Sequence, residues 1–272
     1  TKCGADMNAI EFLHWPTNRS WTRDYCPIFV RDDAGEVAIT NWLFNGWAKY
    51  GNFRDDNRIP RRVAKRFKRR ELSPGIVLEG GSIDVNGAGL LLTTEECLLS
   101  DSVQVRNPGL GRADLERYFA EYLGIQQTIW LKKGIAGDDT HGHIDDIARF
   151  VAHDTIVTAV ELNTADANHE PLADNLARLK AARSLDGKQL TIVELPLPRP
   201  VVFRGQRLPA SYANFYVANG LVLVPTFHDR NDRLALNILS ELFPDREVVG
   251  IHSVDLIWGL GALHCMTQQQ PA

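Results

Sequence analysis

Gly259-Leu260-Gly261-Ala262-Leu263-His264-Cys265-Met266-Thr267-Gln268-Gln269-Gln270-Pro271 is a glycine-bearing approach to a His-Cys pair, followed by a polar run. It is the last of five unusual polar segments along the chain. The others are Trp21-Thr22-Arg23-Asp24, Glu79-Gly80-Gly81-Ser82, Gly137 to Asp146, and Ser211-Tyr212-Ala213-Asn214. Measured from Asp24, Glu79, His143, Tyr212 and Cys265, the gaps are 55, 64, 69 and 53 residues. No letter-by-letter repeat accompanies this spacing. The recurrence of one supersecondary unit still points to a ring or array of modules.

Between these junctions, apolar residues at helical spacing predict four helices: Arg58 to Arg70, Ala113 to Leu123, Pro171 to Arg183 and Asn231 to Phe243. Short β-branched or leucine-rich runs flank them: Cys26–Val30, Glu36–Trp42, Gly75–Leu78, Leu90–Thr93, Thr128–Leu131, Thr155–Val160, Leu190–Leu195, Leu221–Pro225 and Glu247–Ile251. Ile10-Glu11-Phe12-Leu13 also has the look of a strand. Alternation of strands and helices defines an α/β class, and 272 residues suit one large domain over residues 1–272. Five junctions call for five helix-bearing modules, yet four helices can be read between Asp24 and Cys265. The expectation is an incomplete N-terminal module, with its missing part upstream of Thr1 and an open seam beside the Asp24 unit.

Composition narrows the function. With 30 Lys+Arg against 34 Asp+Glu, the formal charge is −4. That gives no electrostatic reason to expect nucleic acid or an anionic membrane as partner. The basic stretch Arg61 to Arg70 reads as a solvated helix face, because no aromatic platform is interleaved with it. No apolar run reaches the length of a membrane helix, and no signal-peptide pattern opens the chain. Four scattered cysteines, Cys3, Cys26, Cys97 and Cys265, form no disulfide framework, so a cytoplasmic location is expected.

Cys265 stands apart from Cys3 and Cys97, which read as small buried hydrophobes. Glycines let backbone approach a ligand closely, and a nucleophilic cysteine needs surroundings that favour its thiolate. The segment Gly137-Asp-Asp-Thr-His141-Gly-His143-Ile-Asp145-Asp146 supports two chemistries. His141, His143 and the aspartates could be a metal cluster of a metallohydrolase. Alternatively His143 is a general acid/base and Asp145 a carboxylate for a guanidinium. A strand after Gly142 would put His143 and Asp145 on one face. Asp24 and Glu79 add further carboxylates at junctions. One Cys, one His and three carboxylates are what a planar cation with three nitrogens would need: acids to hold it, a thiolate to attack its carbon, and an imidazole to move protons.

The order WTRDYCP, EGGS, THGHIDD, ASYANFYVANG and LHCMTQQQP resembles the agmatine deiminases, of the bacterial peptidylarginine-deiminase-like group in the guanidino-modifying superfamily. The resemblance runs from about Asn8 to the C-terminus. It implies five pseudo-symmetric ββαβ modules around a channel, the pentein propeller, and catalysis without metal or other cofactor. It implies Cys265 as nucleophile, His143 as general acid/base, Asp24 and Asp145 as the guanidinium clamp, and Glu79 as support for the histidine. Trp21, Asn214 and Gly261 fall in motifs that line the pocket. The implied partner is a small guanidine, agmatine, converted to N-carbamoylputrescine in polyamine metabolism, with a homodimer compatible with the family. Peptidyl-arginine or free arginine is the alternative substrate. A metallohydrolase and a catalytically silent binding relative are the rival functions. Two departures stand out: Cys26 where the family usually has Gly, at a site where positive φ would disfavour Cys, and the approach Trp258-Gly-Leu-Gly-Ala-Leu263, less glycine-rich than in many relatives.

Overall fold

The computed structural model describes residues 4–271; Cys3 lies outside them. A short helix α1 (Thr22–Tyr25) precedes four units of the same build. The first is β1 (Ile28–Arg31), β2 (Val37–Thr40), α2 (Ile59–Phe67) and β3 (Arg70–Leu72). The second is β4 (Asp84–Val85), β5 (Leu90–Thr94), a short α3 (Glu95–Leu98), α4 (Arg112–Leu123) and β6 (Gln127–Leu131). The third is β7 (Ala148–Phe150), β8 (Thr155–Val160), α5 (His169–Ala181) and β9 (Thr191–Pro196). After the hairpin β10 (Val202–Phe203) and β11 (Gln206–Arg207) comes the fourth: β12 (Tyr216–Ala218), β13 (Leu221–Thr226), α6 (Asp232–Leu242) and β14 (Glu247–His252). In each unit the first two strands pair antiparallel and the last pairs parallel to the middle one across the helix. A parallel pair needs such a crossover, because a tight turn cannot reverse the chain twice.

The four helices stand where the periodicity put them. α4 ends at Gly124, whose φ of 69° is the left-handed cap that glycine adopts without strain. Pro171 sits in the first turn of α5. Two strand expectations fail. Ile10–Leu13 is not a strand and is largely exposed. Gly75–Leu78 makes only an isolated bridge, Val77 to Leu43, and the third strand of its unit is β3 instead. The run is apolar because it is buried, and the Asn107 side chain satisfies both N–H and C=O of Val77 at 2.9 Å each, standing in for a neighbouring strand.

Packing joins neighbouring units. α5 lies on β6 of the preceding unit and α6 on β9. One core cluster accordingly mixes Leu90, Leu92, Ile129 and Leu131 with Ile147, Ile156, Leu172 and Leu179. Another mixes Val157 and Leu195 with Val222, Val224, Leu239 and Phe243. Among the described residues the sheets remain separate, with no strand pairing that closes them into a ring, and they form four helix-bearing units. The fourth unit reaches the first through the C-terminal segment, where the Arg23 N–H donates to the Cys265 carbonyl at 3.0 Å. No described helix is long and apolar enough to cross a membrane.

Leu92 is fully buried between two units. Leu92→Ala should lower unfolding free energy by about 2–5 kcal/mol, through lost transfer energy plus the cavity left behind, as read from a urea denaturation midpoint.

Candidate functional site

The junction segments converge. Asp24 belongs to α1, Glu79 precedes a 3-10 turn (Gly80–Ser82), and His143 precedes another (Ile144–Asp146). Asn214 follows Ser211, and Cys265 lies beyond β14. The segment after Gly142 is thus a turn and not the expected strand. His143 and Asp145 meet all the same: Nδ1 of the ring is 3.9 Å from Asp145 Oδ1 and 3.8 Å from Asp24 Oδ1, while Nε2 is 3.7 Å from Glu79 Oε2. One edge of the imidazole therefore faces the two aspartates and the other faces the glutamate.

Gly81 makes this convergence possible. A Cβ there would stand 2.6 Å from His143 Nδ1 and 2.7 Å from Asp24 Oδ1, and the Gly81 N–H donates to Asp24 Oδ1 at 3.1 Å. The other Asp24 oxygen accepts from Trp47 Nε1 at 2.9 Å. Asn214 donates through Nδ2 to Cys265 Sγ at 3.1 Å and to Asp146 Oδ1 at 3.0 Å, and its own carbonyl oxygens hold the His264 N–H. His264 Nδ1 is 2.7 Å from Asp145 Oδ2.

All of these groups are buried, so their charges are set by one another. Burial raises Asp24, with Glu79 adding to it and His143 opposing. Burial lifts Asp145 to about 7, although His143 and two arginines pull against it, and it lifts Asp146 well above the usual range. His143 goes the other way. Burial would lower it, but Asp24, Cys97 and Glu79 together outweigh that, and the ring is held well above 6.5. Burial would also raise Glu79, yet the Arg106 guanidinium at 2.9 Å and His143 bring it down to about 2. His264 is kept neutral by burial and by Arg149 and Arg23. Burial, then Asp145, Asp146 and Asp24, push the Cys265 thiol well above its ordinary value. The surroundings of Cys265 therefore do not favour a thiolate on their own, contrary to the expectation for a nucleophile.

A pocket of about 240 Å³ opens onto Cys265 and Asp24, walled by Trp21, Trp47, Tyr50, Thr140, Leu260 and Gly261. The approach glycines seat the indole of Trp21: a Cβ on Gly259 or Gly261 would come within 2.9 or 2.8 Å of its ring. Trp47 and Leu260 hold left-handed φ of 59° and 66°, strain that a packed site sustains. Asp139 at this pocket pairs with Lys49 at 2.6 Å and accepts from the Tyr50 hydroxyl at 2.8 Å.

The metal reading of Gly137–Asp146 comes apart in space. His141 lines a separate pocket with Glu96 and Asp138, and Asp138 is spent on the N–H groups of Thr140, Gly142 and His143. The described residues offer one three-ligand group, Glu79, Cys97 and His143, with ligand atoms within 4.8 Å of one another. Glu79 already gives one oxygen to the Arg106 cation, which works against a metal ion there. Cys97, read from sequence as a plain hydrophobe, is buried as expected but also borders His143. Cys26 has φ of −73°, so the glycine usual at that position is not needed for its backbone. Trp47 and Arg106 are the site residues that motif reasoning missed, while His264 and Asp146 lie inside the quoted motifs without having been given a role of their own. Trp47 and Arg106 reach the site by contacts across 23 and 27 residues, with no local pattern to announce them.

The chain belongs to the Porphyromonas-type peptidyl-arginine deiminase family, whose sequence profile matches residues 1–271. It is 36% identical over 266 residues to a candidate agmatine deiminase of Legionella pneumophila, covering 96% of this chain and 75% of that protein. The agmatine deiminase of Enterococcus faecalis superposes with a TM-score of 0.87 at 33% identity, over 92% of this chain and 74% of that one. A C. jejuni agmatine deiminase variant with substrate bound gives 0.89 at 32% identity, over 97% and 77%. A dimethylarginine dimethylaminohydrolase shares the fold at 11% identity and a TM-score of 0.50, over 90% and 74%.

Two expectations follow. Gly81→Ala should drive His143 and Asp24 apart and lower turnover at least about 100-fold, read as ammonia release. Asp145→Asn should melt higher than the parent at pH 8. A buried acid raised to about 7 favours the fold while protonated and costs stability as pH rises from about 4 through 7. The difference in melting temperature between the two proteins should vanish near pH 4.

Proposed function

We propose that this chain is a single deiminase domain that hydrolyses the guanidinium of agmatine to N-carbamoylputrescine and ammonia, through a covalent thiouronium on Cys265. The observation that carries the reading is the shortage of positive charge around Cys265. Asp24, Asp145 and Asp146 all hold the thiol protonated, and a guanidinium seated between Asp24 and Asp145 supplies the missing cation. As it enters, the thiol proton leaves to solvent, so one positive charge replaces another. The Asn214 N–H supports the thiolate that results.

The thiolate attacks the guanidinium carbon and a C–S bond forms. His143, held protonated and with Nδ1 toward the aspartates, gives its proton to the departing nitrogen as the C–N bond breaks. Neutral His143 then takes a proton from water, which attacks the thiouronium carbon. Collapse expels the thiolate while the added hydroxyl loses its remaining proton to solvent, and leaves a urea that carries no charge for Asp24 and Asp145 to hold. Product release follows from that loss of charge. The four ββαβ units correspond in this reading to blades of a pentein propeller.

Agmatine is favoured over free arginine because the cations at the pocket are engaged. Arg19 pairs with Asp56 and Lys49 with Asp139, leaving neither free for an α-carboxylate. Arg207 pairs with Asp166, and neither it nor Arg204 lines the pocket.

Agmatine, arginine and a blocked arginine peptide assayed side by side should rank agmatine first by kcat/KM. Cys265→Ala should abolish ammonia release with an unchanged circular dichroism spectrum; retained turnover would refute the covalent scheme.

A further inference from the structure

Residues Gln104 to Arg106 form a small turn that holds three pieces of the site at once. Gln104 has a left-handed φ of 46°, and its Nε2 donates to the carbonyls of Trp47 and Asp139, both at 3.1 Å. Trp47 in turn holds Asp24. Arg106 is buried, with its side chain wholly out of solvent. Its Nε donates to Glu79 Oε1 and its Nη1 to the Gln104 carbonyl, each at 2.9 Å, while Nη2 donates to the Thr140 carbonyl. Thr140 walls the pocket and lies three residues before His143. The second Glu79 oxygen and His143 Nε2 face each other at 3.7 Å, and neither has a hydrogen-bond partner.

We propose that Arg106 is a positioning residue for the acid–base pair: its guanidinium ties Glu79 to the segment carrying His143 and keeps the glutamate ionised and facing the ring. The proposal rests on the deiminase reading for its effect on turnover, though not for its effect on His143. Three donors in one plane, aimed at three acceptors, suit arginine and not lysine, whose ammonium is a point charge on a flexible stem. The charge balance follows from the neighbours. Glu79 faces Arg106, His143, Cys97 and Asp24; His143 faces Glu79, Asp24, Asp145, Asp146 and Cys97. Among these, Arg106 is the fixed cation. Without it, a glutamate this deeply buried holds a proton more tightly, supports the imidazolium less, and His143 deprotonates at lower pH.

The test is an NMR titration of the His143 ring, run beside pH profiles of turnover, for the parent chain, Arg106→Met, Arg106→Lys, Glu79→Gln and the Arg106→Met/Glu79→Gln double variant. In Arg106→Met the His143 midpoint should fall by about one pH unit or more. The alkaline limb of kcat should move down with it, and kcat should drop about 100-fold or more with KM little changed. Arg106→Lys should fall between the parent and Arg106→Met. The double variant should titrate like Glu79→Gln alone, because Arg106 acts through Glu79. A midpoint unchanged in Arg106→Met, or effects of the two substitutions that simply add, would overturn the proposal. Should Arg106→Met fail to fold, Arg106→Lys and the double variant, which leaves no unpaired buried charge, carry the comparison. A parent chain that hydrolyses no guanidine while its His143 midpoint still depends on Arg106 would defeat the deiminase reading and leave the positioning role standing.

Discussion

The placement of His143 among Asp24, Asp145 and Glu79 is the constraint around which the rest is arranged. Four carboxylates and an imidazole out of water is an expensive arrangement, because each charge loses its hydration. The chain meets the cost by dividing it. Glu79 is fully ionised through Arg106, and His143 keeps its proton through the aspartates. Burial makes Asp145 and Asp146 bind their protons more tightly than usual, and burial together with the negative charge these acids and Asp24 carry when ionised keeps the neighbouring thiol protonated. Removing Arg106 alone would strand a buried carboxylate, a fault worth about 3–5 kcal/mol in comparable pairs.

The scaffold delivers these groups by a repeated device. In each ββαβ unit a parallel strand pair demands a helical crossover, and the polar junctions lie between one unit and the next. The junctions then meet where units abut. Glycines are used where backbones must pass close: Gly81 under His143 and Asp24, and Gly259 and Gly261 under the indole of Trp21. Of the paired glycines after Glu79, readable as a mere turn, Gly81 thus serves the histidine and Gly80 makes room for the Arg23 carbonyl.

Much of this was legible in the chain. Cys265, His143, Asp145, Asp24 and Glu79 lie in dense polar stretches between apolar elements, and the structure brings them together. The helices were legible because their apolar faces recur at 3.6 residues. Residues 75–78 were not, since a buried loop and a buried strand are equally apolar and only Asn107, thirty positions on, distinguishes them. His141 and His143 looked like one cluster but are parted, His141 lining a separate pocket and His143 buried among Asp24, Asp145 and Glu79, because a left-handed His141 and Gly142 turn the chain between them. Arg106 and Trp47 have no local signature at all, and Cys97 looks the same whether it fills a core or borders an imidazole.

The clamp between α1 and the nucleophile has a kinetic side. Thr22 Oγ donates to the Met266 carbonyl at 2.6 Å and Arg23 Nε to that of His264 at 3.3 Å, contacts 244 and 241 residues apart in the chain. Contacts of that span close large loops, and loop closure of this kind comes slowly. Asp24 and Cys265 face one pocket only once that loop has closed. A reactive thiol is therefore assembled by long-range contacts, so that a chain in which they have not formed displays a cysteine without the acids and imidazole that would make it chemically useful.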